Sequence, residues 1–195
     1  MRRGVAVLAL LSVVLLGGCT TSATSTPPPA DPVASATLPA AWPLPADMSA
    51  AAAKAGLPML GQEMLNVHYH AHLDVIVRDA RIAVPAFIGI DQVKQRIAPL
   101  HTHDTSGVVH IESATDVPFT LGQFFTEWGQ PLTPTQVGPV QLAAGEQVRV
   151  YRDGTLVPGD PASLKLTAHA EVVVWVGPAT AQPDVPKQYA FAPGL

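Results

Sequence analysis

Apolar and polar residues alternate with a period of two along much of the chain, most regularly over residues 66–77. Successive side chains of a β-strand point to opposite faces of the sheet, so this alternation predicts a strand with one face on the core. Shorter runs of the same kind predict further strands at residues 82–84, 108–112, 148–151, 156–157 and 171–176. Arg78-Asp79-Ala80 predicts a turn after the first strand, and Asp153-Gly154 has the chemistry of a type I′ hairpin.

Two segments show helical signals instead. Asp47 precedes an alanine-rich run that ends at Gly56, which predicts a short capped helix. A second helix is predicted over residues 119–129, where Thr120 and Gln123 have the spacing of a capping box. Its apolar residues follow the spacing of a buried helix face: Leu121, Phe124, Phe125 and Trp128. The sequence therefore predicts an α+β domain, a small and mostly antiparallel sheet with one covering helix, with a β-sandwich as the alternative.

The amino terminus has a different pattern. Arg2-Arg3 precedes an apolar run from Val5 to Leu16, which is shorter than the roughly 20 residues of a membrane-spanning helix. The run ends in Leu16-Gly17-Gly18-Cys19, which resembles the lipobox of bacterial lipoproteins. Residues 1–18 are therefore predicted to be a lipoprotein signal peptide that is removed on export, and Cys19 to be the lipidation site. We expect the protein on the extracytoplasmic face of the cell membrane, anchored through the lipid on Cys19.

Composition divides the remaining chain. Residues 19–46 are rich in Thr, Ser, Ala and Pro, which predicts a disordered tether, and residues 47–177 have the mixed composition of one globular domain. Residues 178–195 are again rich in proline and are expected to form a tail, on the surface or frayed. Without Arg2 and Arg3 the chain has 11 − 2 = 9 basic residues against 15 acidic ones, a net charge of −6. This balance argues against nucleic acid as a partner.

The candidate chemistry is concentrated in histidine. Six of the seven histidines fall between positions 68 and 110, and they alternate with apolar residues, so they occupy the face of each strand opposite the core. The six are His68, His70, His72, His101, His103 and His110. If the two strands that hold them are neighbours, one polar surface contains up to six imidazoles, with Asp104 and Glu112 at its edge. His169 stands apart and is predicted to be structural.

Imidazole is the commonest metal ligand in proteins, so the six histidines are predicted to bind a metal. Cys19 is the only cysteine and is used for the anchor, which excludes blue-copper, iron–sulfur and cysteine-ligated zinc sites. Imidazoles with carboxylates suit Zn(II) or Cu(II). The first candidates for direct ligands are His70, His72, His101 and His103, followed by His68 and His110. Asp104 and Glu112 are candidates for orienting the histidines.

Other interpretations of the histidines remain open. They could form a buried hydrogen-bonded network or a pH-sensitive surface without a metal. A metal-dependent hydrolase or oxidase would use Glu112 or Asp104 as a general base. The chain has no serine–histidine–acid order and no phosphate-binding glycine loop, so metal binding without catalysis is favoured. In a third alternative, the domain is a structural or partner-binding module of the envelope in which the histidines are incidental.

Four segments together resemble a family of uncharacterised exported proteins of bacteria and some archaea. The segments are His68-Tyr69-His70-Ala71-His72-Leu73-Asp74, Val84-Pro85-Ala86-Phe87-Ile88-Gly89-Ile90, residues 100–112 (Leu-His-Thr-His-Asp through His-Ile-Glu) and residues 119–132 (Phe-Thr-Leu-Gly-Gln-Phe-Phe through Trp-Gly-Gln-Pro-Leu). The resemblance covers roughly residues 50–177. It implies a shared fold but no activity, so it assigns no role to any residue.

Overall fold

The computed structural model describes residues 41–63 and 66–195. The predicted signal peptide, Cys19 and most of the predicted tether lie outside the described residues. Within the described ranges, no helix is long and apolar enough to cross a bilayer.

Most of the regular structure consists of β-strands. They are β1 (Val67–Val77), β2 (Ala80–Ile82), β3 (Ile90–Asp91), β4 (Arg96–Ile97), β5 (Leu100–His101), β6 (Val108–Ser113), β7 (Leu132–Thr133), β8 (Gln136–Val137), β9 (Val140–Gln141), β10 (Glu146–Arg152), β11 (Thr155–Val157) and β12 (Glu171–Pro178). Among the described residues, the α-helices are α1 (Met48–Lys54) and α2 (Leu121–Glu127), and a 3-10 turn spans Pro161–Ser163.

A seven-stranded sheet forms the centre of the domain. Its strands follow the order β11-β10-β12-β1-β6-β5, and β2 pairs with β1 beyond the end of β6. The β1–β12 pair is parallel, with His72 opposite Glu171 and Val77 opposite Val176, whereas the other pairs of this sheet are antiparallel. Two small sheets, β3–β4 and β7–β8–β9, lie off this path.

The predicted α+β class is wrong. In the described part of the chain, strands account for 35% of the residues and helices for 11%, so the fold is mostly β and nearer to the alternative. The prediction missed six strands of two residues each, because a two-residue strand is too short to show an alternation. The two helices lie within the segments predicted for them, but each is only seven residues long. The sheet is also mixed, because β12, the last strand along the chain, pairs in parallel with β1.

Two hairpin turns determine where β2 and β11 begin. Asp153 (φ 52°) and Gly154 (φ 75°) both have positive φ, which confirms the predicted type I′ turn between β10 and β11. Arg78 (φ 50°) and Asp79 (φ 69°) form the same kind of turn after β1. The second strand therefore begins at Ala80 rather than at the predicted residue 82, because only two residues are needed for the turn.

The main core lies between the apolar face of the sheet and α2. Leu121, Phe124, Phe125 and Trp128 are each at most 1% exposed, as their helical spacing predicts. The predicted capping box is confirmed, because the Thr120 side chain accepts from the Gln123 backbone and the Gln123 side chain accepts from the Thr120 backbone. α2 therefore has its start fixed by hydrogen bonds and its inner face fixed by aromatic packing.

Packing extends beyond both ends of the predicted domain, residues 47–177. Trp42 is buried, its ring centroid is 5.5 Å from that of Trp128, and its carbonyl accepts from the Trp128 indole at 3.4 Å. At the other end, Val185 of the proline-rich tail is buried on the second face of the sheet against a small cluster that includes Trp175. The folded unit thus includes part of the predicted tether and part of the predicted tail.

Candidate metal centre

The register of three strands brings most of the predicted histidines together. His70 of β1 lies opposite His110 of β6, His110 lies opposite His101 of β5, and His68 lies opposite Glu112. The intervening residues, including Ala71 and Val109, are buried in the core. The two histidine strands are therefore neighbours, which is the condition on which the predicted polar surface depended, and their imidazoles share the face opposite the core.

His103 joins these residues from the loop between β5 and β6. Its ring centroid is 4.5 Å from that of His110 and 4.9 Å from that of His101. Its Nε2 lies 3.7 Å from Oε1 of Glu63, a residue that precedes β1. We use the name histidine cluster for His68, His70, His101, His103 and His110 together with Glu63 and Glu112.

Three ring nitrogens of the histidine cluster are in direct contact. Nε2 of His70 lies 3.2 Å from Nε2 of His68 and 3.1 Å from Nδ1 of His110. A neutral imidazole nitrogen either donates one hydrogen or accepts with one lone pair, so Nε2 of His70 cannot satisfy both contacts as hydrogen bonds at once. In a tetrahedral zinc site with bonds of 2.0–2.1 Å, ligand nitrogens lie roughly 3.3 Å apart. The spacing of these nitrogens therefore matches the first coordination sphere of a metal ion.

Glu112 lies among the imidazoles rather than at their edge. Its Oε1 is 3.4 Å from Nε2 of His68, 3.7 Å from Nε2 of His101 and 3.8 Å from Nδ1 of His110. Its side chain is almost fully buried. A carboxylate this close to three ring nitrogens is placed to share a cation with them, which is a more direct role than the orienting one predicted.

His101 is the most deeply buried member of the histidine cluster, with no exposed surface. The segment that covers His101 contains Pro85 and Ile88 and is hydrogen-bonded to Thr102. The Thr102 hydroxyl donates to the Pro85 carbonyl and accepts from the Ile88 amide. Gly89 (φ 73°) allows this close approach, because a Cβ there would collide with the carbonyl oxygen of Leu100.

The environment of His101 also determines which of its nitrogens is free to bind an ion. Nδ1 donates to the Ala98 carbonyl at 3.0 Å, which leaves Nε2 as the lone-pair nitrogen that faces Glu112. In the described part of the chain, this buried Nε2 has no hydrogen-bond partner. Burial lowers the pKa of His101 to about 3.

Two other members of the histidine cluster also favour the neutral form. Burial, followed by the proximity of His70, lowers the pKa of His110 to about 4. Burial and His68 lower the pKa of His70. These imidazoles are therefore uncharged at neutral pH, which is the form that binds metal ions.

His72 is not brought into the histidine cluster. Its Nδ1 contacts Glu171 at 2.8 Å, and its Nε2 contacts the Ser106 carbonyl at 2.9 Å. Burial lowers the pKa of His72, but the hydrogen bond to Glu171 and the other contacts outweigh it, so the pKa is raised overall. Both ring nitrogens are already engaged by oxygen atoms, and these contacts favour the protonated imidazole, which has no lone pair for a metal.

The register explains why His72 differs from its neighbours. The pairing of β1 with β6 ends at His72, where the partner is the apolar Val108. On its other side His72 faces Glu171 of β12, and its ring stacks on Tyr189 of the tail with centroids 3.8 Å apart. The alternation along β1 places His72 on the correct face, but its partners lie elsewhere in the sequence.

The remaining predicted residues lie outside the contacts described above. Asp104 is exposed and accepts from the Ser106 amide at 2.8 Å. His169 is exposed and contacts the Leu195 carbonyl at 3.1 Å. The sequence analysis missed Glu63, because the segment that contains it has no periodic pattern and its only signal is its charge.

Overlapping groups within the histidine cluster have the geometry to hold a metal ion, with their ligand atoms within 4.8 Å of one another. The groups are His68, His70 and His110; His101, His103 and His110; and Glu63, His101 and Glu112. A further group of His72, Asp74 and Glu171 meets the same distance limit. In that group the hydrogen bonds of His72 already occupy both ring nitrogens.

Comparison with protein-family models, with curated proteins and with solved structures gives no significant match.

Proposed function

We propose that this protein is an exported lipoprotein, anchored through Cys19 on the extracytoplasmic face of the cell membrane, whose domain binds Zn(II) or Cu(II) in the histidine cluster. The observation behind the metal proposal is the position of Nε2 of His70, 3.2 Å from Nε2 of His68 and 3.1 Å from Nδ1 of His110, with Oε1 of Glu112 3.4 Å from Nε2 of His68. A metal ion accounts for this arrangement, since one ring nitrogen cannot hydrogen-bond to two others at once.

The chemistry of the donors supports these two ions over other metals. Neutral imidazoles are borderline ligands that suit Zn(II) and Cu(II), whereas Mg(II) and Ca(II) prefer sites made of oxygen atoms. The chain has one cysteine, Cys19, which the lipid anchor would occupy. The proposed role is therefore to bind, buffer or deliver the ion at the membrane surface.

Metal analysis of the full chain tests this proposal. The chain should have Cys19→Ser, so that no thiol contributes, and no polyhistidine tag. After exposure to Zn(II) or Cu(II) and extensive dialysis, elemental analysis should find stoichiometric metal and the Tm should rise. A double variant, His70→Gln with His110→Gln, should retain less metal and show a smaller rise in Tm than the parent, while keeping the far-UV circular dichroism of the parent.

His169→Gln is the matched control, because it removes an exposed histidine outside the histidine cluster. It should bind metal like the parent. If the parent retains no metal after dialysis and shows no change in Tm with either ion, the metal proposal is wrong.

The anchor is tested separately. When the natural sequence is expressed in a bacterium, the mature protein should fractionate with membranes and have the additional mass of its acyl chains. Cys19→Ser should remove the additional mass. A natural-sequence protein that appears in the aqueous fraction without added mass would contradict the lipoprotein assignment.

A further inference from the structure

The histidine cluster contains more donors than one ion needs. Zinc is usually held by four ligands, or by three and a water. The histidine cluster offers five imidazoles and two carboxylates, and all of them have a neighbouring donor within 3.8 Å or a ring contact within 5 Å. A single ion would leave three of these seven residues without a role.

The donors divide into two sets that meet at Glu112, and His110, which we assign to the first set, also lies within 4.8 Å of His101 and His103. The first set comes from the strands β1 and β6 and consists of His68, His70 and His110, whose ligand atoms lie within 4.8 Å of one another. The second set consists of His101 on β5, His103 in the following loop and Glu63. His103 lies 3.7 Å from Glu63, and His101 forms a group with Glu63 and Glu112 within the same 4.8 Å limit.

Glu112 is within reach of both sets. Its Oε1 lies 3.4 Å from Nε2 of His68 in the first set and 3.7 Å from Nε2 of His101 in the second. The same oxygen, Oε1, faces both sets, and it has two lone pairs, so it can bind one ion of each set. With Glu112 shared, each set of three donors becomes a set of four.

We infer that the histidine cluster binds two transition-metal ions, bridged by the carboxylate of Glu112. One ion is bound by His68, His70 and His110, and the other by His101, His103 and Glu63. The inference rests on the proposed metal-binding function, and it specifies the stoichiometry and the assignment of ligands within the same site.

Three single His→Gln variants of the full Cys19→Ser chain test the inference by Zn(II) content. The side chains of His68 and His103 are 36% and 43% exposed, so neither substitution empties the core. The parent and the control His169→Gln should each retain two zinc ions after dialysis. His68→Gln and His103→Gln should each retain one ion. Far-UV circular dichroism and the Tm without metal establish that all four proteins are folded.

Loading with Cu(II) tests the bridge. Two Cu(II) ions joined by a carboxylate couple magnetically, so the electron paramagnetic resonance signal of the parent should account for less spin than its copper content. His103→Gln, with one ion, should give an uncoupled signal that accounts for all of its copper.

The outcomes separate the two proposals. One zinc ion in the parent, lost equally in His68→Gln and His103→Gln, would overturn the two-ion inference and leave metal binding intact. No retained metal in the parent would overturn both. Two copper ions that account fully for the spin would overturn the bridging role of Glu112.

Discussion

Glu127, near the end of α2, provides a test of the fold that is independent of the histidines. Its side chain is fully buried, and within residues 41–63 and 66–195 neither carboxylate oxygen has a hydrogen-bond partner. Burial raises the pKa of Glu127 from the ordinary 4.5 to about 9. Between these two pH values the folded protein keeps a proton that the unfolded chain releases. The free energy of unfolding therefore falls as the pH rises through this window, and it levels off near pH 9.

The magnitude follows from the size of the shift. Each pKa unit corresponds to about 1.4 kcal/mol, so Glu127 contributes a slope of about −1.4 kcal/mol per pH unit and a total change of about 6 kcal/mol. Glu127→Gln removes the ionisation at nearly constant volume. From about pH 5.5 to about pH 8, the variant should therefore gain about 3 kcal/mol of unfolding free energy relative to the parent. How well the substituted amide packs in the core changes the unfolding free energy of the variant by the same amount at every pH, so it does not affect this slope.

Urea unfolding at several pH values, with a chelator present to remove metals, measures the difference. The histidines titrate in both proteins, so their contribution cancels when the curves are subtracted. Asp116→Asn removes an exposed carboxylate and should give a curve parallel to that of the parent. A Glu127→Gln curve that is also parallel to the parent would refute the assignment of Glu127 as a buried, protonated acid.

Three further substitutions test other parts of the structure by urea unfolding. Trp42→Ala should lower the free energy of unfolding by about 3–5 kcal/mol, because Trp42 is buried against α2, whereas a residue of a free tether would have no effect. Glu171→Gln should lower the free energy of unfolding by about 1–3 kcal/mol, because it removes the buried carboxylate that is hydrogen-bonded to Nδ1 of His72; the double variant with His72→Gln should recover part of this loss. Thr120→Ala removes the cap of α2 and should cost about 1 kcal/mol, and a loss below 0.3 kcal/mol would contradict the capping box.

The parts of the site that the sequence predicts are those determined by period-two alternation. The side chains of β1 and β6 must show one face to the core, so the alternation places His68, His70 and His110 on the opposite face without knowledge of the pairing. The sequence does not reveal which strand lies on the other side of β1. That strand is β12, almost a hundred residues later, and it supplies Glu171 to His72.

The parts of the fold that the sequence analysis did not predict were missed for a similar reason. β5 has two residues and shows no period of its own, yet its pairing with β6 positions His101. The stretch before α1 and the tail after β12 have no regular structure, so their contacts depend on single side chains such as Trp42, Val185 and Tyr189. Pattern analysis identifies regular elements, whereas these contacts arise from tertiary packing.

The way each donor is held gives the two proposed ion sites different rigidity. His68, His70, His110 and Glu112 project from adjacent positions of the antiparallel pair β1–β6, so backbone hydrogen bonds fix their separation before any ion arrives. His103 and Glu63 come from irregular segments and are exposed, so they can move to meet an ion. Preorganised donors lose less conformational entropy on binding than mobile ones. The first site is therefore expected to bind its ion with little rearrangement, whereas the second requires His103 and Glu63 to adjust around its ion.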